Sequence, residues 1–249
     1  PYGNLTVAQV IQKSSNIGTA KIAMNNLSAE EMWDFYTAVG LGQAPKIGFP
    51  GAVAGTVHPF KKWMPTDQAR IAFGYGISAS LFQVARAYTV FARDGELVPL
   101  TIERSPEFKP GTKVLSPKTA IEMRAMLETV TEPGGTAIKA QAEGFRVGGK
   151  TGTAQVFGKN PNGRAKDDSA WYASFAPAAK PRYVAVMMVS QGGFGASTSA
   201  VGVRQIYQTL FGAVGSKIDP TKALFINGNP PTKLPKISPA TRPAGEKKK

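Results

Sequence analysis

The stretch RVGGKTGTAQVFG, from Arg146 to Gly158, decides how this sequence is interpreted. Two glycines precede Lys150, a third follows it two residues later, and the residues beyond suit a pleated strand. A strand with glycine beside a cation lets another backbone approach closely. Thr151 and Thr153 add hydroxyl groups at the same place. The pattern predicts a strand edge that receives an extended peptide ending in a carboxylate, although a hairpin with an incidental lysine fits these residues equally well.

The overall composition is that of an ordinary globular protein. The chain has 249 residues, of which 42% are hydrophobic and 18% are charged, enough for one large or two small domains. It contains no run of about 18 or more apolar residues, which excludes a transmembrane helix within this sequence. The sequence opens on Pro1, without an initiator methionine or a signal peptide. We therefore expect a piece of a longer protein.

Two residue types that often carry chemistry are almost missing. Because the chain has no cysteine, it has no thiol nucleophile, disulfide or cysteine metal site. Its single histidine, His58, lies in a loop-like segment before Pro59, and we interpret it as a surface histidine. We expect no metal and no cofactor. If the protein is an acyl-transfer enzyme, its general base is expected to be a lysine.

The charge is strongly positive, at +14 overall, and residues 217–249 contribute +6 of it. That segment is rich in proline and lysine and is predicted to be a disordered or extended tail. The excess of positive charge favours anionic partners such as nucleic acid, lipid head groups or acidic cell-wall polymers. Neither zinc-finger spacing nor an RNA-binding strand is present, so we do not expect nucleic acid as a partner. We divide the chain into a domain, residues 1–216, and the tail, residues 217–249.

Hydrophobic periodicity separates a helical block from a strand block. The first helical pattern pauses at Ser14-Ser15-Asn16, which predicts a turn between two helices. Ser28 and Glu31 form a capping box for a third helix, which is predicted to end at Gly40. The further predicted elements are a helix at 116–130, antiparallel strands at 148–157, 170–175 and 183–190, and a helix at 198–211. This order predicts an α+β fold with helices segregated from an antiparallel sheet.

Two short motifs gain meaning when they are taken together. Ser14-Ser15-Asn16 and Lys150-Thr151-Gly152 match serine-x-asparagine and lysine-threonine-glycine, two of the three signatures of penicillin-recognising serine acyltransferases. Segments such as QKSSNIGTAKIA, VTEPGGTA and GGKTGTAQVF occur in order between about Leu5 and about Gly212. The sequence therefore resembles the class B penicillin-binding proteins, the monofunctional peptidoglycan D,D-transpeptidases of cell division or elongation. This resemblance implies a penicillin-binding protein/β-lactamase-like transpeptidase fold, with an antiparallel sheet flanked by helices.

The resemblance also implies a role for the residues around Lys150. The substrate would be a D-Ala-D-Ala stem peptide, lying antiparallel along the Lys150 strand, and β-lactam antibiotics would acylate the same site. Lys150 would place positive charge near the terminal carboxylate, and Thr151 and Thr153 would hydrogen-bond it. Gly152 would keep the groove open. The backbone N–H of Thr153 would be one donor of the oxyanion hole.

The resemblance implies roles for the serine-x-asparagine motif as well. Ser14 would relay a proton to the leaving amine, with its hydroxyl polarised by Lys150. Asn16 would hold the substrate amide and the general-base lysine in place. Without the resemblance, we would interpret Ser14 and Asn16 as a pair of helix-capping residues.

The third signature, Ser-x-x-Lys, which carries the nucleophile, does not occur in this sequence. No serine is followed by lysine three residues later, and Ser116 has Lys118 only two residues on. In the family this signature precedes the serine-x-asparagine turn, so we expect it before Pro1, together with the first strands, a pedestal domain and a membrane anchor. The fragment alone is expected to be inactive and to depend on that upstream part of the same protein.

Several alternatives stay open at this point. A non-catalytic β-lactam-sensing or binding relative would keep the same cleft, and a D,D-carboxypeptidase would use water as the acceptor. For the transpeptidase, the resemblance implies the periplasmic or extracytoplasmic face of the bacterial cytoplasmic membrane. It also implies glycan-polymerising and divisome or elongation proteins as partners. We favour a septal role over lateral wall growth because of the segments SSNIGTAKIA and FGYG.

Overall fold

The computed structural model describes residues 2–48, 50–103, 107, 109–142, 144–157 and 165–213. The tail predicted for residues 217–249 lies outside the described residues. The α-helices of the described part are α1 (Val7–Gln12), α2 (Asn16–Asn26), α3 (Ala29–Ala38), α4 (Pro65–Ile71), α5 (Leu81–Ala92), α6 (Pro117–Glu128) and α7 (Ser199–Ala213). Short 3-10 helices lie at Phe60–Lys62, Thr129–Thr131 and Ile138–Ala140.

The described strands form two antiparallel sheets. In the smaller one, β1 (Glu96–Leu97) pairs with β2 (Thr112–Lys113). The larger one has the order β3 (Gly148–Phe157), β4 (Ala165–Ala176), β5 (Tyr183–Val189), with sequential neighbours paired. The α+β prediction is therefore confirmed: α1 to α6 precede the larger sheet along the chain, and α7 follows it.

The predicted strand bounds agree well with the structure for β3 and β5. The prediction was wrong for β4, which extends to Ala165 although we predicted a start at Ala170. The added residues are largely polar, so they lack the apolar pattern that marks a half-buried strand. They become a strand because they pair with β3, where Asp168 lies opposite Gln155.

The main core lies where α7 packs against the larger sheet. Phe145, Tyr172 and Tyr207 are almost wholly buried there, and the rings of Phe145 and Tyr207 meet edge to face at 6.2 Å. The hydroxyl of Tyr207 is satisfied by Ser174, with 2.9 Å between the two oxygens. Burial of large aromatic side chains is the dominant favourable term in such a core, so the sheet and α7 form a firm support for β3.

A smaller core holds the first helices together. Ala23, Met32 and Ile71 are buried against one another where α2, α3 and α4 meet. The capping box predicted for α3 is present, since Ser28 and Glu31 bond each other's backbone N–H groups. Local capping thus determined where this helix begins.

The end of α6 is fastened to the start of β3. Arg146 forms a salt bridge with Glu128, the last residue of α6. The hydroxyl of Thr131 donates to the carbonyl oxygen of Val147 at 2.9 Å. These contacts fix the backbone immediately before Gly148, and they therefore set where the Lys150 side chain can reach.

Candidate active site

The serine-x-asparagine motif occupies a tight turn between α1 and α2, as predicted. Ser14 adopts a left-handed backbone conformation with φ of 54°, which is uncommon for a residue with a side chain. Ser15 is the N-cap of α2, and its Oγ accepts a hydrogen bond from the N–H of Gly18 at 3.1 Å. Asn16 is the first residue of the helix and is exposed. The interpretation of Ser14 and Asn16 as capping residues is therefore wrong, because Ser15 caps the helix and leaves the Ser14 hydroxyl for another partner.

That partner is Lys150, the third residue of β3. Its Nζ donates to Ser14 Oγ at 2.6 Å and to the carbonyl oxygen of Thr151 at 3.1 Å. Ser14 and Lys150 are 136 residues apart along the chain. The fold thus brings together two motifs that the sequence could associate only by resemblance.

The surroundings of Lys150 make its ammonium group easier to deprotonate. Burial lowers the pKa of Lys150 from 10.5 to about 8, since the charged form loses hydration there. A lysine with a pKa close to the ambient pH can both hold a proton and release one. The Lys150–Ser14 hydrogen bond is therefore a chemically competent path for a proton between the two side chains.

The glycines around Lys150 serve two different purposes. A Cβ on Gly148 or Gly149 would overlap β4, so these two glycines permit close packing inside the sheet. A Cβ on Gly152 would approach nothing more closely than 3.3 Å, the distance to Trp171 Cβ. At Gly149 the backbone that approaches closely is that of β4, at the carbonyl oxygen of Ala173, and at Gly148 the close neighbour is the ring of Phe175. At Gly152 a Cβ would make a single tight contact, so this glycine is the least crowded of the three.

The two threonines lie on the outer strand of the described sheet. Thr151 is half-buried, and its Oγ1 is 2.8 Å from Oγ1 of Thr136. Thr153 is exposed, and its Oγ1 accepts a long hydrogen bond, 3.5 Å, from the N–H of Gly195. We assigned Thr136 and Gly195 no role from the sequence. Although Thr136 lies in the segment VTEPGGTA, no local pattern indicates these contacts, because each residue meets its threonine through the tertiary structure.

Other residues considered from the sequence lie away from this arrangement. His58 is exposed in a loop, as predicted. Ser116 caps α6 by accepting from the N–H of Thr119 at 3.1 Å, and Lys118 is exposed beside it. Among the described residues, no group of three or more His, Asp or Glu side chains is placed to hold a metal ion.

Comparison with known proteins identifies the family of the chain. The family model described as the penicillin binding protein transpeptidase domain matches residues 1–208. This chain therefore belongs to the penicillin-binding protein transpeptidase domain family, and the predicted family and fold are confirmed.

Solved structures of high similarity support the same assignment. The chain is 46% identical to the apo TP domain of penicillin-binding protein 3 from Burkholderia pseudomallei, with a TM-score of 0.81 over 88% of this chain and 67% of that one. It is 47% identical to a peptidoglycan glycosyltransferase from Burkholderia ambifaria, with a TM-score of 0.79 over 86% of this chain and 66% of that one.

Curated relatives include longer proteins named as transpeptidases. The chain is 39% identical to the probable peptidoglycan D,D-transpeptidase PenA of Neisseria gonorrhoeae over 90% of this chain and 38% of that protein. It is 34% identical to the peptidoglycan D,D-transpeptidase FtsI of Escherichia coli over 76% of this chain and 32% of that protein. The chain thus spans less than two fifths of the length of these relatives. No helix within the described ranges is both long and apolar enough to cross a membrane.

Proposed function

We propose that this chain is part of a serine D,D-transpeptidase that cross-links peptidoglycan stem peptides and that β-lactams acylate. The hydrogen bond of 2.6 Å between Lys150 and Ser14 carries this proposal. It joins a cation on an outer strand to a hydroxyl at a helix junction, which are the two groups needed beside an acyl-transfer centre. The relatives named as D,D-transpeptidases support the same reaction class.

Substrate would bind as an added strand on the outer edge of β3, since among the described strands only β4 pairs with it. The terminal carboxylate of a D-Ala-D-Ala peptide would lie near the Lys150 ammonium group and accept hydrogen bonds from Thr151 and Thr153. Gly152, where a Cβ would contact only Trp171 within 4 Å, would keep the groove open to the peptide backbone. Asn16, exposed at the start of α2, would hold the substrate amide.

The nucleophile would be the serine of a Ser-x-x-Lys motif in a part of the protein outside this sequence. Its Oγ would bond to the carbonyl carbon of the penultimate D-Ala while the lysine of that motif takes the hydroxyl proton. The Thr153 N–H would help to stabilise the resulting oxyanion. When the carbon–nitrogen bond breaks, Ser14 would pass its proton to the leaving amine and would be reprotonated from Lys150.

The acceptor of the acyl group determines which of two reactions follows acylation. After D-Ala leaves, the acyl-serine ester can be attacked by the amine of a second stem peptide or by water. The first outcome is transpeptidation and the second is the reaction of a D,D-carboxypeptidase. We propose the amine, on the strength of the relatives, and product analysis with a stem-peptide donor and an amine acceptor distinguishes the two reactions.

The cellular setting belongs to the same proposal. The intact protein would act on the outer face of the bacterial cytoplasmic membrane, held there by a segment outside this sequence. It would work with glycan-polymerising enzymes and with division or elongation proteins, and we favour a septal role. Residues 217–249 would form a basic tail beyond the transpeptidase domain, and residues 1–249 on their own would be inactive.

The direct test is to incubate the full-length gene product with benzylpenicillin and to measure intact mass, followed by peptide mapping. One penicilloyl adduct on a serine outside residues 1–249 is the expected result. If the protein is folded but carries no adduct, the enzyme hypothesis is wrong and the protein is a non-catalytic relative. An adduct on a serine within residues 1–249 would show that the nucleophile has been assigned wrongly.

A further inference from the structure

A short loop behind the site contacts the segments that carry both of its motifs. We call residues Glu132–Thr136 the EPGGT loop. On one side, Lys13 Nζ donates to the carbonyl oxygen of Gly134 at 2.7 Å, and Gln12 Nε2 donates to that of Pro133 at 3.5 Å. Lys13 is the residue immediately before Ser14. The loop is therefore fastened to the backbone that presents the Ser14 hydroxyl.

The EPGGT loop is also rigidly folded on itself. The N–H of Gly135 donates to the carbonyl oxygen of Glu132 at 2.8 Å, and the N–H of Ala137 donates to that of Val130 at 2.8 Å. A Cβ on Gly135 would collide with the backbone carbonyl of Val130, so the chain packs there as closely as glycine allows. Ala137 is completely buried. The position of Thr136, between Gly135 and Ala137, is fixed from both sides.

On its other side the loop meets the lysine-threonine-glycine motif. Oγ1 of Thr136 lies 2.8 Å from Oγ1 of Thr151, and either hydroxyl can be the donor in that pair. Thr151 follows Lys150 directly. One loop thus contacts the neighbour of each of the two residues that form the Lys150–Ser14 hydrogen bond.

The number of protons on the two hydroxyls decides the direction of their hydrogen bond when a ligand is present. Each hydroxyl has one proton and can accept through its lone pairs, whereas a carboxylate can only accept. If Thr151 donates to a ligand carboxylate, its single proton is used. Thr136 must then be the donor in the threonine pair, and a hydroxyl that accepts one hydrogen bond donates a second one more strongly.

We propose that Thr136 is a positioning residue for carboxylate recognition. It donates its proton to Thr151 Oγ1 and so directs the Thr151 proton to the terminal carboxylate of the stem peptide or β-lactam. The EPGGT loop holds Thr136 in place, which means that little rearrangement is needed when the ligand binds. This role rests on the proposed function, because it requires an anionic acyl donor on β3.

The test compares Thr136→Val, which keeps the shape and removes the hydroxyl, with Thr136→Ser, which keeps the hydroxyl. The second-order rate constant for acylation of the full-length protein by benzylpenicillin is measured across the neutral to alkaline range. Thr136→Val is expected to lower it about three- to tenfold, the loss of one ordinary hydrogen bond. Thr136→Ser should stay within about twofold of wild type. The pH profile should keep its shape, since Lys150 does not move.

The matched control is Thr119→Val, which removes a hydroxyl pair of the same length, 2.8 Å to Ser116, on the surface at the start of α6. It should acylate like wild type. In a Thr151→Val background, Thr136→Val should cause no further loss, because its effect passes through Thr151. Thermal unfolding verifies that each variant is folded, and Thr136→Ala replaces the valine variant if that one is not.

Among the single variants, any of three results would overturn the proposal: an unchanged rate in Thr136→Val, an equal loss in Thr136→Ser, or a displaced pH profile, which would mean that Lys150 had moved. A full additional loss in the Thr151→Val background would also overturn it. If wild-type protein forms no adduct at all, the proposed function fails first and the role of Thr136 fails with it. The wild-type reaction and the variant series therefore test separate claims.

Discussion

The sheet side and the helical side of this molecule hold their apolar residues differently. On the sheet side, formed by β3, β4, β5 and α7, Phe145, Tyr172 and Tyr207 are at most 1% exposed. On the helical side, formed by α2, α3, α4 and the turn after α4, Ile17 is 73% exposed and Tyr75 is 52% exposed. The first region encloses these aromatic side chains, while Met188 of β5 and Ile206 of α7 are 38% and 37% exposed. The second keeps large apolar surfaces in contact with solvent.

The candidate site lies at the boundary between these two regions. Lys150 comes from the sheet side, and Ser14 comes from the turn that leads into the helical side. We infer that substitutions in the sheet core mainly lower the free energy of unfolding, and that exposed apolar positions of the helical side tolerate substitution. Substitutions at the boundary between the two regions should mainly change the acylation rate. Each of the following experiments tests that division.

The largest effect, on the acylation rate, is expected from Lys150→Met at the boundary between the two regions. Removing the ammonium group removes the proton path to Ser14, and positioned proton transfer typically contributes about 10²- to 10⁴-fold to a rate. The acylation rate of the full-length protein with benzylpenicillin should fall by that order. Lys118→Met, at an exposed position of α6, is the control and should react normally. If the acylation rate of a folded Lys150→Met variant falls by less than about tenfold, Lys150 does not take part in the proton transfer.

A second experiment compares the loss of stability when one phenylalanine from each region is replaced by alanine. Phe145→Ala should lower the free energy of unfolding by about 3–5 kcal/mol, since it leaves a cavity beside Tyr207 and Phe211. Phe73→Ala, at a site that is 40% exposed, should lower it by less than about 1 kcal/mol. Urea unfolding of the full-length variants measures both. Equal losses would show that the exposed surface of the helical side is covered in the intact protein.

A smaller effect is expected from the pH dependence of stability. Burial lowers the pKa of Lys150 to about 8 in the folded protein, against 10.5 ordinarily. Between these values the unfolded chain binds more protons, so the free energy of unfolding should rise as pH increases through this window. Below pH 8 both states are protonated and the cost of the buried charge is constant.

The difference between wild type and Lys150→Met isolates this term, because the other titrating groups are common to both proteins. The free energy of unfolding of wild type minus that of Lys150→Met should rise as pH increases from about 8 to about 10.5. Curves that stay parallel over this range would show that the Lys150 ammonium group is fully hydrated in the folded protein.

The smallest expected effect on stability separates two adjacent serines. Ser15→Ala removes the N-cap of α2 and should cost about 1 kcal/mol of stability, whereas Ser15→Asn, which can also cap, should cost little. Ser14→Ala should leave this cap intact and instead lower acylation, because the partner of Lys150 is lost. Thermal unfolding and acylation rates of the three variants measure the two effects. A larger loss of stability from Ser14→Ala than from Ser15→Ala would contradict the assignment of the cap.

Much of the fold was predictable because the signals that produce it are local. The capping box of Ser28 and Glu31, the turn at Ser14 and the strand Gly148–Phe157 all follow from residues within a few positions of one another. The start of β4 was missed because its polar residues have no apolar periodicity and become a strand only through pairing with β3. The family could be inferred from two motifs in the expected order.

The residue types of the candidate site were readable from the chain, whereas their arrangement was decided by packing. Capping and periodicity act over about four residues, so they place Ser14 in a turn and Lys150 on a strand. The 2.6 Å contact between them, 136 residues apart, exists only because α6 and the sheet core fix the start of β3. The lowered pKa of Lys150 and the meeting of Thr136 with Thr151 have the same origin. Burial and distant hydrogen bonds depend on which surfaces meet in three dimensions, and no local pattern contains that information.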